Sequence, residues 1–426
     1  MHKEAYEVTR YLVEECGIRV AGTDRLNKAS LYIAEKFREY GVDTAFHTFD
    51  IPICQIKNSS CKINIGEESR DMDHRPVLFS KETPAGGISL PLIYCEDGSA
   101  GELEAHDLEG KAVLICRDSY IEYPDLNMYK RLYEYGVKAV FYTSSDGHKD
   151  IPFVYANFEY LDEPYTIPTA ILLYDDAKEL AKRDDVTIEY EVSYERVSAK
   201  TQNTIGIIEG SDPDAGNVLV CAHLDSAEGS VGAADDAGGV GLVMAMAKLY
   251  GQLKKSGIQP KRTIRFIAWS GHECGLQGSK NFVLDYPEVI DEMKFMFNFD
   301  IMGNALSSPL IWAGCDSQVE EQINRIVKEL HYDWYVDIGP WVVDTISFAH
   351  KGIPHLTLTS GFYAINHTKY DNMSYISEKS FITASLFSEK LLDWAANDDR
   401  ISAGYSEELR GAMAHYGNMY GWGFFK

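Results

Sequence analysis

The sequence predicts an α/β fold: a mixed, largely parallel sheet flanked by helices, carrying an inserted smaller β-rich α/β domain. Three apolar, strand-like runs, at residues 217–222, 263–269 and 295–299, each finish at a side chain able to bind a cation. Across residues 58–195 the pattern changes to short β-rich runs with many turn residues and no ligand-like cluster, over the length of a separate domain. The chain accordingly divides into a discontinuous main domain of residues 1–57 and 196–397, the insertion of 58–195, and an aromatic and glycine-rich tail from 398 to 426.

Taken in order, Leu26, Ser30, Ile33, Ala34 and Phe37 place one mainly apolar face on a helix, with Thr23 or Asp24 as its cap and Gly41 as its stop. Residues 41–49 then alternate as a strand. Inside the insertion, residues 108–117, 135–142 and 167–170 are its clearest motifs, and Tyr120, Tyr123, Phe153, Tyr155, Phe158 and Tyr160 are an aromatic group that core packing or a lid would explain. The run 217–222 delivers His223 and Asp225, which share a face if the strand continues, so that Asp225 could take the second imidazole proton. Asp235 and Asp236 lie at the entrance of a small-residue helix near 240–249, where an ordinary N-cap is the plainer explanation of either. The run 263–269 delivers His272 and Glu273, and the run 295–299 delivers Asp300. In open parallel sheets the site lies beyond the carboxyl ends of the strands, so these ends can converge in one crevice.

Imidazoles and carboxylates suit a borderline cation such as zinc, and the surrounding glycines let backbone approach an ion closely. A net charge of −25 over 426 residues argues against nucleic-acid partners and mildly favours cationic amino termini. No signal peptide or membrane-spanning stretch is evident, which makes a cytoplasmic location without membrane partners the expectation. The eight cysteines have neither metal nor disulfide spacing and fit reduced thiols. The tail should bury somewhere, either on its own subunit or in a homo-oligomer contact.

The chain resembles the M28 family of co-catalytic zinc aminopeptidases. The motifs that carry the resemblance are His223-Leu224-Asp225, Asp235 within Gly232-Ala233-Ala234-Asp235-Asp236-Ala237-Gly238-Gly239, Glu273 through Ser279, Asp300 after its strand, and His367 in His367-Thr368-Lys369-Tyr370-Asp371. The resemblance implies two divalent metal ions, most simply Zn2+. His223 and Asp300 would hold one, Glu273 and His367 the other, with Asp235 bridging and Asp225 orienting His223. The insertion looks like the protease-associated domain of some M28 peptidases. The implied activity is removal of the first residue from a peptide with a free N-terminus by a two-metal-activated water.

One position departs from the pattern. The family's active peptidases carry a second glutamate before the ligand glutamate, as the general base, and here that place holds His272. Three roles stay open for it: the base itself, a bystander, or the mark of a site that binds metal without catalysis. A metal-stabilised binding protein, a glutaminyl-cyclase-like acyl transferase and a hydrolase of non-peptide amides are accordingly the alternatives to an aminopeptidase. His350 and His355 match no ligand position and are expected to be structural.

Overall fold

The computed structural model describes residues 1–117, 126–144, 150–155, 164–339, 341–361, 364–401, 405 and 409–411. Of the insertion's aromatic group, Tyr120, Tyr123, Phe158 and Tyr160 lie outside the described residues, as do tail residues 412–426. The helix expected from its apolar face spans Asp24–Tyr40. Thr23 accepts the Leu26 amide at its start and Gly41 ends it in the left-handed region at φ 82°. Strand β1 (Asp43–Ile65) is next along the chain. Then come β2 (Glu68–Asp71), β3 (His74–Pro76), β4 (Ile88–Tyr94), β5 (Ala112–Arg117), β6 (Ala139–Ser144) and β7 (Thr169–Leu172). Strand β8 (Val186–Ile208) returns antiparallel along nearly all of β1, so the expected limits of the insertion fall inside one hydrogen-bonded ladder. Strands β4, β5, β6 and β7 run side by side in that order beyond β8.

The remaining strands form the part of the sheet that positions the site: β9 (Asn217–His223), β10 (Thr263–Trp269), β11 (Met293–Phe299), β12 (Pro309–Gly314), β13 (Val336–Ile338) and β14 (His355–Ser360). Strands β10, β9, β11 and β14 lie next to one another in that order, all parallel. Antiparallel β8 on one side and β12 on the other make the sheet mixed. Every residue of β9 is buried, as expected of a parallel strand covered on both faces. One cover is the helix Gly239–Lys255, whose Gly241 meets the helix His2–Tyr11 so closely that a Cβ there would lie 2.4 Å from the Ala5 carbonyl oxygen.

His355 is structural, as expected. Its ring is buried against Gly314, and its Nδ1 lies 2.8 Å from the Tyr405 hydroxyl and 3.1 Å from the Ile353 carbonyl oxygen. Burial pushes this imidazole down to about 4, against the Ile353 carbonyl, which favours the charged form. Between that value and the ordinary value near 6.5 the unfolded chain binds the proton more readily than the folded one, so acidification destabilises the fold across this window. Denaturant unfolding should show the wild type losing roughly 3 kcal/mol relative to His355→Phe between about pH 7 and pH 4. Equal pH slopes in the two proteins would show that the ring is not held neutral.

Candidate metal centre

The candidate donors lie at or beyond the carboxyl ends of four adjacent parallel strands, with Asp235 between β9 and the helix Gly239–Lys255. His223 is the last residue of β9, and Asp300 directly follows β11. Glu273 sits in the turn after β10, and His367 lies in the loop after β14. His223, Asp235, Glu273, Asp300 and His367 are all buried. Donor atoms of His223, Asp235 and Glu273 lie within 4.8 Å of one another, and so do those of His223, His272 and Asp300.

Asp235 is the centre of this arrangement. Its Oδ1 is 2.9 Å from Nε2 of His223, and its Oδ2 is 3.3 Å from Nε2 of His367. The same His367 nitrogen is 3.1 Å from Oε2 of Glu273. The adjacent acid does the work of a cap: Asp236 accepts the Gly239 amide at 2.9 Å and the His223 amide at 3.3 Å. The plainer explanation of the acidic pair therefore fits Asp236, while Asp235 faces the site. Behind it, both oxygens of Asp371 are taken by main-chain amides, those of Ala234 at 2.8 Å and Asp235 at 3.0 Å. Burial nevertheless pushes the Asp371 carboxyl up to about 7. Arg19, fully buried, donates to the carbonyls of Leu224, Val231 and Gly232 and ties together the two ends of the loop that follows β9.

Asp225 requires a correction. Its carboxylate is 3.9 Å from Nδ1 of His223, whereas its main-chain carbonyl oxygen is 3.0 Å away and accepts that proton. The carboxylate turns to the second loop and accepts the amides of His272 at 3.2 Å and Glu273 at 3.1 Å. Asp225 thus orients His223 through its backbone and fixes the His272–Glu273 turn through its side chain. The strand ends at His223, so the period-two alternation on which the sequence expectation rested does not extend to Asp225.

His272 stacks on His223, with ring centroids 3.9 Å apart and an interplanar angle of 11°. Two parallel rings cannot both aim in-plane lone pairs at one ion about 2.0–2.1 Å away, so His272 would neighbour a cation held by His223 and would not be a second imidazole on it. Its Nδ1 is 2.9 Å from Oδ2 of Asp344, which is itself buried. Burial alone would lower the His272 pKa, but the Asp344 carboxylate overrides it and, with Asp300 and Glu273, holds it at about 10. Asp344 was not foreseen. It lies between Val343 and Thr345, just before the short helix Thr345–Ala349, where sequence alone offers only a cap.

The donor set fits a divalent cation. Oε1 of Glu273 is buried without a hydrogen-bond partner among the described residues, although it belongs to a group that should not be left unsatisfied. Asp300 is raised to about 6 by burial and by the neighbouring acids Asp235 and Asp344, against the pull of His272 and His223. His367 is driven well above its ordinary value, because Glu273 and Asp235 outweigh the effect of burial. A bound cation would supply the positive charge that these carboxylates otherwise draw from the imidazoles. His223, Asp235, Glu273, Asp300 and His367 are the residues that would hold it.

The model of peptidase family M28 matches residues 203–389, a span containing all of these site residues. Aminopeptidase YwaD of Bacillus subtilis (strain 168) is 28% identical over 345 residues, covering 78% of this chain and 67% of that protein. Human carboxypeptidase Q is 24% identical over 405 residues, covering 89% and 83%. The solved structure of BSAP, a zinc aminopeptidase from Bacillus subtilis, superposes with a TM-score of 0.73 at 23% identity, covering 96% of this chain and 98% of that one. The fold is therefore shared over nearly the whole length, and the span that matches the M28 peptidase model encloses the complete donor set.

Proposed function

We propose that this protein is a zinc-dependent aminopeptidase that removes the first residue of a peptide with a free N-terminus at a two-ion centre. The observation that carries the two-ion reading is Asp235, which turns one carboxylate oxygen to His223 and the other to His367. Asp300 completes the set on the His223 side and Glu273 the set on the His367 side. The names of relatives point to both peptide ends, since YwaD is an aminopeptidase and the other is carboxypeptidase Q. The buried carboxylates and the −25 net charge favour a substrate end that arrives as an ammonium over one that arrives as a carboxylate. We also propose that the insertion is a protease-associated domain.

When bound, the ions supply positive charge that polarises the scissile carbonyl and the attacking water and lowers the pKa of the neighbouring imidazole. The chain's own residues do the rest. Asp344 accepts the Nδ1 proton of His272 and so fixes the tautomer with Nε2 free. Nε2 takes a proton as water oxygen bonds to the carbonyl carbon, then returns it to the amide nitrogen as the carbon–nitrogen bond breaks. Asp225 holds His272 and Glu273 in register for this step through their amides.

The primary test is release of amino acids from a mixed peptide panel before chelation, after it, and after metal restoration. Restorable release from free peptides and none from N-acetylated ones is the expected result; release from the carboxyl end would move the reading to a carboxypeptidase. Chelator-insensitive behaviour or no release at all would favour a binding protein, and activity on acylated amino acids alone would favour a non-peptide amide substrate. For the base, His272→Ala should lower kcat by about a hundredfold or more at unchanged metal content. Asp344→Asn should lower it by about tenfold through the wrong tautomer. His272→Ala turning over within a few-fold of wild type would remove His272 from the proton path.

A further inference from the structure

We propose that residues 150–155 of the insertion are a clamp on the last metal ligand, so that the ion held by Glu273 and His367 depends on the insertion. This rests on the two-ion reading above. Phe153 and His367 exchange two hydrogen bonds. The Phe153 amide donates to the His367 carbonyl at 3.0 Å, and Nδ1 of the His367 ring donates to the Phe153 carbonyl at 2.8 Å. The second bond is the kind of outer contact that fixes which imidazole nitrogen faces a metal, and it leaves Nε2 directed at Asp235 and Glu273.

His367 needs such a hold more than the other donors do. His223 and Asp300 sit at the very ends of ladder-bonded strands, but His367 lies in a loop at φ 56°, in the left-handed region that non-glycine residues occupy at a cost of order 1 kcal/mol. A backbone in that region persists when its surroundings over-determine it. The segment opposite is anchored in turn to the insertion. The Leu78 amide bonds to the Val154 carbonyl at 2.9 Å and Tyr155 bridges to Leu78, while Asp150 adds a further tie to the ligand loop by pairing with Lys369 at 3.2 Å.

The Phe153 ring is the latch. The guanidinium of Arg75, from β3, lies 3.9 Å from its ring centroid. On another side it packs against Gly229, where an added Cβ would come within 2.0 Å of the ring. Gly229 comes after His223 and Asp225 on the first metal loop, so the ring bridges the insertion and the centre. Removing the ring leaves every proposed ligand in place and frees the segment that orients His367.

The test is zinc titration of the metal-free full-length protein by calorimetry against a competing chelator, with the melting point of the metal-free form measured alongside. Phe153→Ala should weaken one of two equivalents by about tenfold or more, at an unchanged metal-free melting point. Phe153→Tyr, which keeps a ring, should restore it, and the milder Arg75→Met should weaken the same equivalent by less. Two equivalents bound by Phe153→Ala as in wild type would overturn the clamp while leaving the two-ion centre intact. Loss of both equivalents together with a lower metal-free melting point would also overturn it, since the segment would then be ordinary packing. A wild type that takes up a single equivalent would instead remove the two-ion reading, and the clamp with it.

Discussion

The centre is organised by an electrostatic constraint: several carboxylates are buried at the ends of adjacent strands, and each needs positive charge or donors close by. Asp235 satisfies it by standing between two imidazoles, one on each oxygen. Asp236 and Asp371 satisfy it with main-chain amides, and Asp225 does so with the amides of the His272–Glu273 turn. Asp300, and one oxygen each of Glu273 and Asp344, are left least provided for among the described residues. That imbalance distinguishes a place prepared for a cation from a closed polar network, in which every member would already be paired.

Much of this was legible in the sequence because strands make it so. A buried parallel strand reads as a short apolar run, and the residues just beyond its carboxyl end must lie at one edge of the sheet. The positions of His223, Glu273 and Asp300 could be placed from that alone. The helix Asp24–Tyr40, with Thr23 and Gly41 at its ends, was legible from its apolar spacing and local chemistry in the same way. Groups that act across long sequence separations were not. Asp344 meets His272 from a different part of the chain, Asp371 meets the Asp235 amide, and the Asp225 carbonyl replaces its carboxylate at His223. No periodicity encodes a contact of this kind, and a cap or surface role explains each of these acids equally well in one dimension.

The exchange of glutamate for histidine before Glu273 changes the charge balance more than the shape. A glutamate there would add one more anion to an already acidic pocket, whereas an imidazole brings a group that can be neutral or cationic. Its partner Asp344 supplies the carboxylate at one remove. The pair places a carboxylate behind an imidazole, so the negative charge is kept near the centre while the atom facing it becomes a nitrogen. Stacking on His223 fixes the plane of that ring, and the Asp344 bond fixes its rotation about the plane's normal. Together these restraints leave little freedom for a bystander side chain.

The same distinction between strand ends and loops explains why the insertion reaches the centre at all. A ligand at a strand end is positioned by the sheet, whose neighbouring ladders resist displacement. His367 has to return from the end of β14 at Ser360 through an irregular loop before its ring can meet Glu273. A loop of that kind carries carbonyls and amides that the sheet does not satisfy, and another segment must pair with them. In this chain that segment is the stretch at Phe153, held through Leu78 to the sheet that β1 and β8 share with the main domain. The long β1–β8 ladder therefore bears on chemistry as well as on stability: a shift of the insertion along it would move the carbonyl on which the orientation of His367 depends.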